Sequence, residues 1–333
     1  MIAGIIVVAV FISLLILIHE AGHFIFAKIF KVKVEEFGLG FPPRLWSKKI
    51  GETVYSFNAL PFGGFVKIFG ETRDANAETD PASFVFKKIW KRGLIILGGV
   101  MLNFILGRLL FFIVFSVGTK PGIIISLVAK NSPAHFADIK PGDKIISAIF
   151  GDEDLAPKTS RELIEFINLH RGKEIALSIQ RLEKTIAVKV VPRENPPANE
   201  GALGIVLSEI GNEPLPLPSS LKQSLVTSLS VLGSVFENFY HFAGQIIKDQ
   251  KMSGSLVGPV GIIAIAVQAQ SVSFTYFLHL MAFLSLNLTA LNILPLPALD
   301  GGRLILLLVE KIKGSPLPSR AEKTINSAGF AIL

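Results

Sequence analysis

The sequence predicts a polytopic α-helical membrane protein with three spans and the beginning of a fourth, a membrane-associated β-hairpin, and an inserted extracytoplasmic α+β domain. Half of the 333 residues are hydrophobic, and three runs are apolar enough to cross a bilayer, which takes about 20 residues. Between the second and third runs the composition turns soluble. There is no cysteine, so disulfides, iron–sulfur clusters and thiolate metal sites are excluded and any metal is held by His, Asp or Glu. The net charge of +7 does not mark a nucleic-acid binder, because Lys and Arg gather beside the apolar runs without aromatic interleaving or a helix-turn-helix pattern. Juxtamembrane anchoring accounts for them.

The first run, residues 2 to 30, contains Ile16-Leu17-Ile18-His19-Glu20-Ala21-Gly22-His23. Two histidines four apart on a helix share a face, and a glutamate beside the first is placed to activate a metal-bound water. Ionisable side chains at bilayer depth cost about 2.5–3.5 kcal/mol or more each, which makes them functional candidates. A signal peptide is not expected: no basic residue precedes the run, no small-residue cleavage site follows it, and the run itself carries His-Glu-x-x-His.

Lys28, Lys31 and Lys33 follow this run, and Lys87, Lys88, Lys91 and Arg92 precede the next apolar stretch. The positive-inside rule makes both flanks cytoplasmic and the N-terminus external. Between them, 37–43, 54–57 and 61–66 read as short strands with turn glycines and prolines. The segment is apolar for a loop: either a hairpin packed on the surface, or a sheet dipping into the membrane with an edge open to an extended peptide. Residues 73–83 read as polar loop. The second span, 93–117, carries Gly98, Gly99, Asn103 and Gly107; small residues permit close helix packing, and Asn103 is assigned to packing rather than chemistry.

From residue 122 to 193, Asn131-Ser132-Pro133-Ala134 and Lys140-Pro141-Gly142-Asp143 punctuate short strands, Thr159 caps a helix with Glu162 three residues on, and a hairpin turns at Leu182-Glu183-Lys184. This order, with Pro-Gly-Asp followed by Lys144-Ile145-Ile146, resembles a PDZ domain, which implies a peptide groove beside the helix or a size filter over a membrane site. Residues 194–218 form a proline-rich linker with a strand near 203–206. The helix at 221–247 has one apolar stripe and one polar face. Expected domains are 1–118 for the first two spans with the hairpin, 119–195 for the PDZ-like domain, 196–270 for linker and surface helix, and 271–333 for the third span and the start of a fourth at 328–333.

The third apolar run holds His279, Asn287 and Asn292 and ends in Pro295-Leu296-Pro297-Ala298-Leu299-Asp300-Gly301-Gly302. A catalytic zinc site takes three protein ligands. Asp300, the carboxylate inside this late apolar region, is the first choice for the third, and His279 the second. Depth favours Asp300: it and His23 both lie shortly before cytoplasmic basic residues if the 221–247 helix rests on the outer surface instead of crossing. Pro-x-Pro before Asp-Gly-Gly is turn chemistry, tolerated at membrane depth where it lines a site. Asn287 and Asn292 are packing amides or holders of a substrate backbone. An ion transporter would show repeated halves, and a silent scaffold would lack Glu20; neither fits.

The chain resembles the site-2 protease family through His19-Glu20-Ala21-Gly22-His23, Gly38-Leu39-Gly40-Phe41 with Asn58-Ala59-Leu60-Pro61-Phe62-Gly63-Gly64, Leu256-Val257-Gly258-Pro259-Val260-Gly261, and Asn292-x-x-Pro295-x-Pro297-x-Leu299-Asp300-Gly301. The resemblance implies a zinc intramembrane endopeptidase of a bacterial inner membrane, with His19, His23 and Asp300 on Zn2+ and Glu20 as catalytic base. It also implies single-span membrane proteins as substrates, anti-sigma factors or remnant signal peptides, held by the 54–70 hairpin (Tyr55, Phe57, Gly63, Gly64) and by Asn287 and Asn292. Gly98-Gly99 departs from the Gly-Pro common before the asparagine of the second span.

Overall fold

The computed structural model describes residues 2–71, 79–118, 122–181, 184–197, 200–211, 213–247 and 273–315, with a few isolated positions beyond these. Most of the 73–83 loop, the turn at Leu182-Glu183, the Leu256–Gly261 motif and the expected fourth span at 328–333 lie outside the described residues. The chain divides into two compact units, one of residues 1–5, 111–223 and 256–280, the other of residues 6–110, 224–255 and 281–333.

Helices α1 (Ile2–Ile29) and α2 (Ile89–Val117) are apolar around their whole circumference, as the sequence predicts for lipid-facing segments. With the later helix at Phe274–Ile293, they are the three among the described residues with the length and apolarity of membrane spans. The chain is therefore a multi-pass membrane protein.

Between α1 and α2, the expected short strands are instead two long ones, β1 (Val34–Ile50) and β2 (Thr53–Ile68). Their register explains the difference. Residues 36–39 of β1 have partners on both sides, 64–67 and 54–57, while 44–50 pair with 53–58 alone. Each strand doubles back on itself, β1 just after Gly40 (φ +78°) and β2 at Gly63 (φ +85°), positions where a side chain would be strained. Among the described residues the result leaves two edges without a partner strand, at 44–50 and at 64–68.

The other unit holds a sheet of β3 (Gly122–Val128), β4 (Lys144–Phe150), β5 (Glu153–Leu155), β6 (Ile175–Arg181), β7 (Lys184–Val190) and β8 (Ile205–Ile210), with the short helix α3 (Pro133–Phe136) and α4 (Ser160–Leu169). The strand order is β7-β6-β4-β3-β8, with β5 on β4. Alternating Ile175, Leu177 and Ile179 point into a core that Leu163 and Phe166 of α4 complete. Thr159 caps α4, its hydroxyl accepting from the Glu162 amide at 3.2 Å. The Lys140–Asp143 turn is locked by Arg181, which donates to both carboxylate oxygens of fully buried Asp143 at 2.8 and 2.7 Å. The strand expected in the linker near 203–206 is β8, and it joins this sheet, so the fold runs past the expected boundary at 195.

Helix α5 (Leu217–Ile247) inverts the usual amphipathic arrangement: Ser220, Ser224 and Ser228 are buried while Leu221, Leu225 and Leu229 are exposed. An apolar face turned outward suits lipid better than water. Helix α6 (Phe274–Ile293) breaks at residues 294–299, and α7 (Asp300–Lys313) begins at the aspartate itself.

Arg92 of α2 donates to Glu310 of α7 at 2.8 Å, both groups being buried. Removing one partner of a buried pair leaves an uncompensated charge, at about 3–5 kcal/mol. Glu310→Ala is therefore expected to destabilise the detergent-solubilised protein by that amount in thermal unfolding, and the paired Arg92→Met, Glu310→Leu variant by much less.

Candidate metal centre

The site begins with helix geometry. His19 and His23, one turn apart on α1, bring their Nε2 atoms within 3.2 Å of each other, and the rings meet edge to face. Asp300 completes the group from α7, its Oδ2 lying 3.1 Å from His19 Nε2 and 3.4 Å from His23 Nε2. All three residues are buried. For bonds of about 2.0–2.1 Å, such as imidazole makes to zinc, the edge of a coordination tetrahedron is about 3.3–3.4 Å. The three observed edges match it, and Asp300 Oδ2 has no hydrogen-bond partner of ordinary geometry. A cation at the centre would satisfy three lone pairs that otherwise face one another.

The rings are aimed from behind. His23 Nδ1 donates to the carbonyl of Ile95 at 2.9 Å, which fixes the tautomer whose Nε2 lone pair faces the centre. Asn103 performs the same service for His19: its amide nitrogen is placed 3.3 Å from Nδ1 while its Oδ1 is buried without a partner. Oxygen and nitrogen of an amide are interchangeable in position. With the amide turned over, Oδ1 accepts from Nδ1–H and the amino group takes the buried place that Oδ1 leaves. Asn103, assigned from sequence to packing, is thus a positioning residue; the signal available was a lone amide in an apolar run.

Gly98 and Gly99 are the residues that sequence reading most undervalued. A Cβ on Gly22 would collide with the Gly98 carbonyl, and one on Gly98 would lie 2.6 Å from the Gly22 oxygen. A Cβ on Gly99 would lie 2.6 Å from His23 Nε2 and 2.7 Å from His19 Cε1. Gly98 lets the helices touch backbone to backbone, and Gly99 leaves the space in which the imidazoles turn. Similarly, a Cβ on Gly301 would strike the Ile293 and Leu294 carbonyls, so the broken helix before Asp300 closes on bare backbone.

A cavity of about 320 Å3 adjoins the triangle, lined by His19, Glu20, His23, Val66, Ile68, Glu71, Asn292, Asp300 and Arg303 among others. Glu20 Oε2 accepts from the Val66 amide on β2 at 3.1 Å, and Arg303 pairs with Glu71 across the cavity. Of the other residues singled out, Asn292 lines the cavity. Asn287 donates to the Phe283 carbonyl of its own helix at 2.8 Å, and Tyr55 packs its ring on Phe24 and Phe37. Phe57 is exposed. Gly63 and Gly64 lie against Ile16 and Leu17 of α1. His279, the second choice for third ligand, meets Phe111 edge-on at 5.1 Å.

Gly99→Ala tests the cradle. It is expected to lower divalent-metal stoichiometry, read by elemental analysis of purified protein, while the size-exclusion profile and helix content stay as in the parent.

Comparison with known proteins bears on what such a centre serves. Proteins named "putative zinc metalloprotease" from Nostoc sp., Clostridium perfringens and Clostridium acetobutylicum are 32%, 33% and 32% identical over 330, 322 and 324 residues. Each match covers 96% of this chain, and 90%, 92% and 91% of the respective relative. The sequence profile described as peptidase family M50 matches residues 7–333. The chain therefore belongs to peptidase family M50, and the likeness carried by its motifs is a family relationship.

Proposed function

We propose that the protein is a zinc-dependent intramembrane endopeptidase that cleaves single-span membrane substrates, of the anti-sigma-factor or remnant-signal-peptide type, in regulated intramembrane proteolysis. The observation that carries this reading is the triangle of His19 Nε2, His23 Nε2 and Asp300 Oδ2, with Glu20 beside it, the two histidines and the glutamate standing on a helix as long and apolar as a membrane span. Two imidazoles and a carboxylate suit zinc and leave a coordination position for water; bound zinc supplies a Lewis acid that lowers the pKa of water towards about 7 and polarises a carbonyl.

The chain's own residues do the rest. Glu20 takes the proton of the attacking water and hands it to the leaving amine, its carboxylate steadied by the Val66 amide. A helical substrate hides its amides in hydrogen bonds and must open first. Among the described residues the 64–68 edge of the folded-back sheet has no strand on its outer side and is the place for the opened segment to pair, in competition with Glu20 for the Val66 amide, and Val66 and Ile68 of that edge line the cavity. Asn292 is assigned to holding the substrate backbone beside it, with Asn287, Tyr55, Phe57, Gly63 and Gly64 as the surrounding support.

In the other unit, a groove of about 280 Å3 between α4 and β8 is lined by Ile164, Ile167, Leu203, Ile205 and Leu207. Strand β8 is a sheet edge, so the groove fits an extended peptide in the manner of a PDZ-like domain. We assign the protein to a bacterial inner membrane, with its N-terminus and this domain outside the cytoplasm and the metal centre nearer the cytoplasmic face, as the basic flanks favour.

Purified protein and its Glu20→Gln variant, incubated with single-span substrates, separate chemistry from binding. Glu20→Gln is expected to lose about 10²–10⁴-fold in cleavage rate with metal content intact, and Asp300→Ala to lose metal and activity together. Equal cleavage by parent and Glu20→Gln sinks the mechanism; undiminished zinc in Asp300→Ala sinks the ligand assignment.

A further inference from the structure

The outer strand segment of the doubled-back sheet has a composition that neither water nor hydrocarbon explains. Residues 41–50 of β1 are exposed without interruption. They include Leu45, Trp46 and Ile50, each more than half exposed, next to Lys48 and Lys49, for which the described residues offer no ion-pair partner. Arg44 is bound by Glu36 at 2.6 Å and is already satisfied. Across the strands Trp46 faces Phe57 and Lys48 faces Tyr55, which puts aromatic rings and a lysine on one face.

Three constraints fix where such a segment rests. Among the described residues no strand pairs with its outer side, and unpaired backbone amides and carbonyls are not tolerated in hydrocarbon. Its large apolar side chains are poorly suited to bulk water. The turn joining β1 to β2 is tied to the end of the first apolar helix, Lys28 donating to Glu52 at 2.7 Å, and the end of a helix of spanning length lies at the membrane surface. A bound protein strand would pair the same edge, but the unpartnered lysines call for negative charge, which a headgroup layer supplies.

We propose that the 44–50 segment is an anionic-lipid contact, with Lys48 and Lys49 on the phosphate groups of phosphatidylglycerol-type headgroups and Trp46, Leu45 and Ile50 seated among the glycerol and upper acyl carbons. Trp and Lys share this level in membrane proteins for the same reason, an apolar body with a polar end. The contact sits on the same folded-back sheet whose opposite edge lines the cavity, so lipid charge would hold that sheet at a set depth.

The chain has two tryptophans, Trp46 and Trp90. Trp90→Phe leaves Trp46 as the only emitter. The full-length variant is reconstituted in phosphatidylcholine bilayers containing the same fraction of shallow-brominated phosphatidylglycerol or shallow-brominated phosphatidylcholine. Trp46 emission is expected to be quenched by both, and about twofold or more strongly by the brominated phosphatidylglycerol, since each lysine near an anionic surface raises association about fivefold before screening. Lys48→Gln with Lys49→Gln is expected to abolish that preference while quenching by brominated phosphatidylcholine persists. Equal quenching by the two lipids in the parent overturns the anionic contact, as does a preference that survives loss of both lysines. Absence of quenching by either lipid overturns membrane seating altogether and marks the edge as water-exposed or covered by protein.

Discussion

A contact between two bare stretches of helix governs this structure. At Gly22 and Gly98 the first and second apolar helices approach until a single methyl group has no room on either side. In a bilayer there is little hydrophobic force between helices, and close packing of small residues is what holds them. Here the closeness also has a chemical consequence. It brings the Ile95 carbonyl and the Asn103 amide of α2 within reach of the ring nitrogens of His23 and His19, so the contact that joins the helices also orients the imidazoles. Helix association and site assembly are one event, and a substitution that separates the helices by an ångström disorders both.

The second constraint is the broken helix. A continuous α6 would carry Asp300 onward along one rod; instead the chain unwinds over 294–299, Ala298 takes φ +71°, and α7 restarts at the aspartate. Starting a helix with a carboxylate is favourable, because the unpaired amides of the first turn carry partial positive charge. The Arg92–Glu310 pair near the far end of α7, together with Arg303 to Glu71 nearer the aspartate, fixes the direction of that helix. An ion-pair frame around a metal centre spends stability on placement, since such pairs seldom stabilise more than apolar residues of the same volume.

How much of this the sequence disclosed depended on whether the signal was local. His19, Glu20 and His23 sit at fixed helical spacing, and Asp300 is a carboxylate in an apolar run, so their convergence was legible from pattern and depth. The three membrane helices followed from length and apolarity alone. The folded-back sheet was only half legible: its turn residues were visible, but the partner of 36–39 on each side depends on where the chain returns, and no short-range pattern encodes that. Strand β8 was missed as part of the insert's sheet because a proline-rich stretch precedes it. Gly99 and Asn103 were read only as packing residues, although they also stand against His19 and His23. A glycine's importance lies in what occupies its missing side chain's space, and an amide's in what it faces; both are properties of the partner helix.

Charge balance shows why these pieces belong together. The cavity lining brings three carboxylates, Glu20, Glu71 and Asp300, to face one guanidinium, Arg303. Glu71 and Arg303 cancel. Two carboxylates then remain beside two imidazoles, of which His23 commits its back nitrogen as a donor to the Ile95 carbonyl, and an ion left uncompensated in such surroundings costs several kcal/mol. A divalent cation offsets both carboxylates at once, whereas protonating both imidazoles would set the two facing Nε2 atoms, 3.2 Å apart, proton against proton. On this count the protein is built to be completed by a doubly charged ion, and the proposed zinc is as much a part of the folded site's electrostatics as of its chemistry.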